Sequence, residues 1–106
     1  MIRHTVVFSL RHPRGSQQEA DFLRDARVLA AIPGVQRFEQ LAQVSAKSEF
    51  TLSFSMEFDG AEQYAAYDAH PDHVAFVRDR WATEVEAFQE LDLEPLDTAA
   101  PVGEER

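Results

Sequence analysis

The chain predicts an α+β fold in which four antiparallel strands form one sheet and both helices cover the same face. Three observations lead there. Ile2 to Leu10 and Phe50 to Phe58 alternate apolar and polar side chains with period two, as half-buried strands do. The stretches after Ser16 and after Asp59-Gly60 space their apolar residues three and four apart, as amphipathic helices do. The resulting order is strand, helix, strand, strand, helix, strand, which is the split β-α-β pattern of ferredoxin-like domains.

Each element follows from its own residues. In the first strand Ile2, His4, Val6, Phe8 and Leu10 share one face, so His4 falls among apolar neighbours. Arg11 to Gly15, with Pro13, reads as a loop. Ser16 with Glu19 three residues on is a capping box, and Phe22, Leu23, Ala26, Leu29 and Ala30 form the stripe of the first helix. Ile32-Pro33-Gly34 stops it. Val35 to Val44 is a strand of mixed faces, and Ser45 to Ser48 a short polar loop. Phe50, Leu52, Phe54, Met56 and Phe58 form the heaviest apolar face. Asp59-Gly60 turns into a helix carrying Tyr64, Ala65 and Tyr67, which halts at His70-Pro71. Val74, Val77, Trp81 and Val85 mark a second helical segment. Phe88 to Leu96 is expected as the last strand, with Leu91 and Leu93 inward and Pro95 at its edge. One domain over residues 1–96 is expected, followed by a disordered tail over 97–106, rich in Thr, Ala, Pro, Gly and Glu. Thr5, Val7, Thr51, Ser53 and Ser55 lie on a sheet face with no helix. In folds of this kind a second copy often covers that face, giving a dimeric α/β barrel.

Composition narrows the function. The chain has 106 residues, 44% of them hydrophobic, and a net charge of -9. A mean hydropathy of -0.36 is that of a soluble globular protein. No basic stripe is present for nucleic acid or an anionic membrane surface, so neither is expected as a partner. No apolar run is long enough to span a membrane, the start does not read as a signal peptide, and a cytoplasmic location is the expectation. With no cysteine, disulfides, thiolate catalysis and Cys-ligated zinc are excluded.

The segment Tyr67-Asp68-Ala69-His70-Pro71-Asp72-His73 carries the chemistry. Pro71 lacks an N–H and disfavours helix in the residue before it, so it ends one helix and starts the next. His73 then sits in a first turn, where the dipole disfavours a cation and favours a neutral, proton-accepting imidazole. A neutral His beside a phenol is an acid/base pair. It is also a way to close a helix break by hydrogen bonding. His70 is expected to bond backbone or cap, and His12 to face solvent. Pro71 turns the His70 and His73 rings apart, so no metal site is expected despite nearby Asp68 and Asp72. Arg78 and Arg80, near Asp79 and Glu84, are expected on a solvated face.

The start Met1-Ile2-Arg3-His4-Thr5-Val6-Val7-Phe8, the Ile32-Pro33-Gly34-Val35 turn, the Met56-Glu57-Phe58-Asp59 strand end and the Tyr67…His70-Pro71-Asp72-His73…Phe76 segment resemble the Dabb family, the stress-responsive dimeric A/B barrel proteins. The resemblance runs from about Met1 to Leu96. It implies a homodimer with facing sheets. In one branch of that family, polyketide cyclases close a poly-β-ketone by aldol condensation without a cofactor, using a Tyr and a His. They match Tyr67 and His73, and a first-strand cavity His matches His4. The chain departs from the family's pattern in a shorter, Gly-free loop around Ser45 to Glu49 and in Asp72. The resemblance thus implies a pocket for a small apolar or aromatic ligand, with His73 and Tyr67 catalytic and His4 contacting substrate; Tyr64, Phe50 and Phe54, facing the space between sheet and helices, are expected to contact it too. The other reading is a non-enzymatic, ligand-binding or stress-linked dimer. Monooxygenase-like relatives of the barrel form a third class, for which the sequence has no separate mark.

Overall fold

β1 (Ile2–Leu10) is the strand on which the sheet is assembled. It bonds antiparallel to β3 (Leu52–Phe58) on one side and to β4 (Val85–Leu93) on the other, and β2 (Gln36–Ala42) lies beyond β3. The sheet order is β2-β3-β1-β4, a ferredoxin-like arrangement. The computed structural model describes residues 1–96, and the expected tail over 97–106 lies outside the described residues.

α1 (Gln17–Asp25) starts as its sequence requires: Ser16 Oγ accepts from the Glu19 N–H at 3.2 Å. Glu19 does not return the bond to Ser16. Its Oε1 instead holds the loop, accepting from the Gly15 N–H at 3.0 Å and from Arg14 at 2.6 Å. Past Asp25 the helix tightens to a 3₁₀ segment, Ala26–Ala31. Three residues per turn bring Ala26, Leu29 and Ile32, three apart, onto one buried line. Gly34 takes φ +93°, which only glycine adopts without strain, and the Val35 N–H closes the turn on Ile32 O. β2 is irregular: Arg37 has φ +53°, and its register with β3 shifts between Gln36 and Glu39.

α2 (Ala61–Ala69) ends at His70, and α3 (Pro71–Phe76) begins with Pro71 at its first position. A π-helical segment, Val77–Trp81, and α4 (Ala82–Glu84) complete the second helical run. The expected stripe through Val74 is corrected here. A π turn takes more residues than an α turn, so Phe76 and Trp81 face the core and Val74 faces out. Val85 is buried as expected, but as the first residue of β4.

β4 corrects a second expectation. Leu91 and Leu93 pair with Thr5 and Arg3, residues of the uncovered face, so they point away from the helices. Phe88, Glu90 and Asp92 pair with Phe8, Val6 and His4 on the helix side. His12 and Arg80 are also more constrained than solvent-facing residues. His12 Nε2 lies 2.8 Å from Glu84 Oε1, and Arg80 binds Glu84 and Asp25, tying the first loop and α1 to the end of the second helical run. Arg78 pairs with Asp79 in solvent, as the sequence implies.

The core lies between sheet and helices. Phe8 is its centre, with ring centroids 4.8 Å from Phe54, 4.9 Å from Trp81 and 6.0 Å from Phe22. Replacing a fully buried aromatic by alanine removes both its transfer energy and its packing partners. Phe8→Ala should cost about 3–5 kcal/mol in urea unfolding, whereas Val44→Ala, at a side chain 92% exposed, should leave the midpoint unchanged.

Candidate functional site

Beneath the sheet, toward β4 and the break at Pro71, the core is incomplete and leaves a cavity of about 240 Å³. Its floor is sheet: His4 and Val6 from β1, Phe54 and Met56 from β3, Phe88 and Glu90 from β4. Its roof is helical, from Leu29, Tyr67, Asp68, His73, Phe76, Val77 and Trp81. Tyr67, His73, His4 and Phe54 therefore meet at one place, although they come from four separate elements, α2, α3, β1 and β3.

The break positions His73. With α2 ended and α3 restarted, the His73 ring reaches back over the last turn of α2, and its Nδ1 lies 3.0 Å from the Asp68 carbonyl oxygen. A carbonyl only accepts, so Nδ1 carries the proton and donates. Nε2 has no partner among the described residues and, in the neutral ring, presents a lone pair. Tyr67 packs beside it, ring centroids 4.5 Å apart. The Tyr67 hydroxyl has no hydrogen-bond partner among the described residues, so the two rings are neighbours rather than a closed pair. Burial pushes the pKa of this phenol up, and the charges of Asp68 and Glu90 push it further. Tyr67 is held in its protonated form.

His4 is fixed from the other side. Its Nδ1 lies 2.6 Å from Asp92 Oδ1, and the Tyr64 hydroxyl donates to the two Asp92 oxygens at 2.9 and 3.0 Å while sitting 2.9 Å from His4 Nδ1. An ionised carboxylate accepts, so the His4 proton facing it is on Nδ1. Burial, then the bond to Asp92, push the Tyr64 phenol up as well. Tyr64 stands behind His4 and does not line the cavity.

Phe50 does not line it either. The ladder between β1 and β3 starts at Phe8 and Leu52, and Phe50 lies before it, in the loop, its carbonyl accepting from Gln43 Nε2 at 2.6 Å. His70 caps α3, its Nδ1 accepting from the Asp72 N–H at 3.1 Å. Among the described residues no three His, Asp or Glu side chains are placed to share a metal ion. Asp92 and Glu90 escape the sequence reading because the alternation of Phe88 to Leu93 offers two parities, and burying the leucines selects the other one. Asp68 serves through its carbonyl, which no side-chain pattern marks.

The fold agrees with the family comparison. A family model described as the Stress responsive A/B Barrel Domain, Dabb, matches residues 2–95. The chain belongs to the Dabb family. A Dabb family protein with a ferredoxin-like fold from Mesorhizobium loti is 56% identical, with TM-score 0.89 over 90% of this chain and 96% of that one. Two more distant structures share the fold. A dimeric ferredoxin-like protein of unknown function from Thermobifida fusca is 23% identical, with TM-score 0.74 over 89% of this chain and 90% of that one. The hydroxynitrile lyase of Passiflora edulis is 16% identical, with TM-score 0.72 over 92% and 94%. No curated protein matches the chain. Among the described residues of this Dabb protein, no helix is long and apolar enough to cross a membrane.

Tyr64 and Tyr67 are the only tyrosines. Both are raised above the ordinary phenol value of about 10. The folded state therefore keeps protons that the unfolded chain releases, and stability falls as pH rises past that value. Absorbance at 295 nm should show no tyrosinate at about pH 11 while the fold persists. The phenolate signal should then appear together with unfolding, followed by circular dichroism.

Proposed function

We propose that this Dabb protein binds a small carbonyl compound in the cavity and moves a proton on it without a cofactor, His73 accepting and Tyr67 donating. One observation carries the reading: Nδ1 of His73 is committed to the Asp68 carbonyl, which leaves Nε2 unpartnered, and His73 lines the same cavity as Tyr67, whose hydroxyl is unpartnered too. His73 Nε2 would take the proton from a carbon beside a carbonyl. Tyr67 would donate a hydrogen bond to the oxygen that gains charge as the enolate forms. Where a second carbonyl is within reach, the enolate carbon attacks it and the imidazolium returns its proton to the new alkoxide, completing an aldol step. His4, held by Asp92, orients the bound oxygen, and Phe54 contacts the ligand's apolar body. A volume of about 240 Å³ is below the ~300–1,000 Å³ of sites for drug-sized ligands. It suits a short or monocyclic 1,3-dicarbonyl better than a long polyketide. The mainly apolar wall also favours a second reading, in which the pocket binds a ligand and does no chemistry.

The uncovered sheet face supports a homodimer. Leu41, Leu91 and Leu93 are exposed there, beside Val7, Thr5, Ser53 and Ser55. A contiguous face of this kind marks an interface, and the facing-sheet pair would bury it in each copy.

Two measurements check these readings. Exchange of the α-protons of phenylacetone and 1-phenylbutane-1,3-dione in D2O, followed by NMR, should be accelerated by the wild type. His73→Ala and Tyr67→Phe should each lose about tenfold or more of that rate. Equal acceleration by all three proteins removes the mechanism, and no acceleration by the wild type leaves the binding reading. Light scattering at micromolar concentration should give about twice the 12.0 kDa chain mass, and Leu91→Arg should shift it toward one chain. A stable wild-type monomer overturns the dimer.

A further inference from the structure

The charge around the cavity is one-sided. Its lining includes Asp68 and Glu90 and no Lys or Arg. The arginine ion pairs of the described residues are spent elsewhere: Arg3 and Arg37 on Glu57, Arg14 on Glu19, Arg24 on Asp21 and Asp25, Arg78 on Asp79, Arg80 on Asp25 and Glu84. None reaches Asp68 or Glu90. At the start of α3 the Asp72 N–H is already taken by His70. The Nδ1 sides of both cavity histidines face acceptors, and Asp92 adds a third carboxylate behind His4. The same carboxylates act on the cavity's own phenol, since Asp68 and Glu90 both oppose ionisation of Tyr67. A bound anion would meet that field with no cation to offset it. A bound ammonium would meet two carboxylates and the rings of Trp81, Phe88 and Tyr67, whose faces attract cations.

We propose that Asp68 and Glu90 set the charge class of the ligand: the cavity takes uncharged or ammonium-bearing molecules with an apolar body and rejects carboxylates and phosphates. The inference rests on the cavity being the ligand site, as proposed above. It adds a rule of selection that neither the acid/base pair nor the fold supplies. Acyl compounds would have to enter as ketones, esters or amides rather than as free acids.

Trp81 makes the test direct, because it is the only tryptophan and it lines the cavity. Benzylamine, benzyl alcohol and benzoate have nearly the same shape and differ in charge at pH 7. Titrated against Trp81 fluorescence, the amine and the alcohol should bind at least about tenfold more tightly than benzoate. In the Asp68→Asn, Glu90→Gln double variant, benzoate should tighten until it lies within about threefold of the alcohol. Both side chains belong to exposed residues, and far-UV circular dichroism checks that the variant is folded. Benzoate binding as tightly as the alcohol, or a ratio unchanged in the variant, overturns the charge rule and leaves the pocket in place. A Trp81 signal that none of the three probes moves removes the ligand site itself, and both proposals with it.

Discussion

The pairing of β4 with β1 decides what each face of the sheet becomes. With Asp92 opposite His4 and Glu90 opposite Val6, two carboxylates point toward the helices, and Leu91 and Leu93 point away from them. A slip of one residue would exchange these sets, because side chains alternate strictly along a strand. His4 would then face a leucine and lose its partner, and the outer face would gain charge. The register between Phe8 and Phe88 opposes that slip, since Phe88 meets Trp81 edge to face, with centroids 5.5 Å apart. An aromatic contact at one end of the strand thus fixes an electrostatic contact at the other.

The helical side depends on a comparable local device. One proline ends α2 and starts α3, and this is what lets a histidine reach a carbonyl of the preceding helix. In an unbroken helix the Asp68 carbonyl would accept from the backbone N–H of Asp72. Here that N–H bonds to His70 instead, and the freed carbonyl takes His73 Nδ1. The π segment that follows keeps Phe76 and Trp81 on the core side, so the roof stays over the sheet.

Much of this was legible in the chain because it is local. The alternation in β1, the Ser16 cap, the Ile32-Pro33-Gly34 turn and the break at Pro71 each depend on a few neighbouring residues, and each appears where its residues place it. The meeting of Tyr67 with His73 follows from the same break. What escaped depends on partners distant in sequence. The parity of β4 is set by β1, more than eighty residues away, and Asp92 gains its meaning only there. The outward turn of Val74 follows from a π segment, which has no strong sequence signature, and Phe50 lost its place because the ladder with β1 stops at Leu52. Nothing near His12 in sequence marks its contact, because its partner, Glu84, lies across the fold. A rule that buries the most apolar set fails for β4 because the uncovered face of this sheet also carries apolar residues, Val7 and Leu41 beside Leu91 and Leu93.

That last point ties the site to the proposed second copy. β4 is an edge strand, and beyond the buried Val85 its residues are exposed from Glu86 to Leu93. Its ladder with β1 holds the backbone, but few side chains hold it from either side. On the cavity side it carries Glu90 and Asp92, which gain little from burial. An apolar partner laid against Leu91 and Leu93 would supply the missing packing and would stiffen the strand that presents both carboxylates. If a second copy packs there, its docking and the orientation of His4 both follow from one strand's alternation, and loosening the outer face should loosen the histidine within.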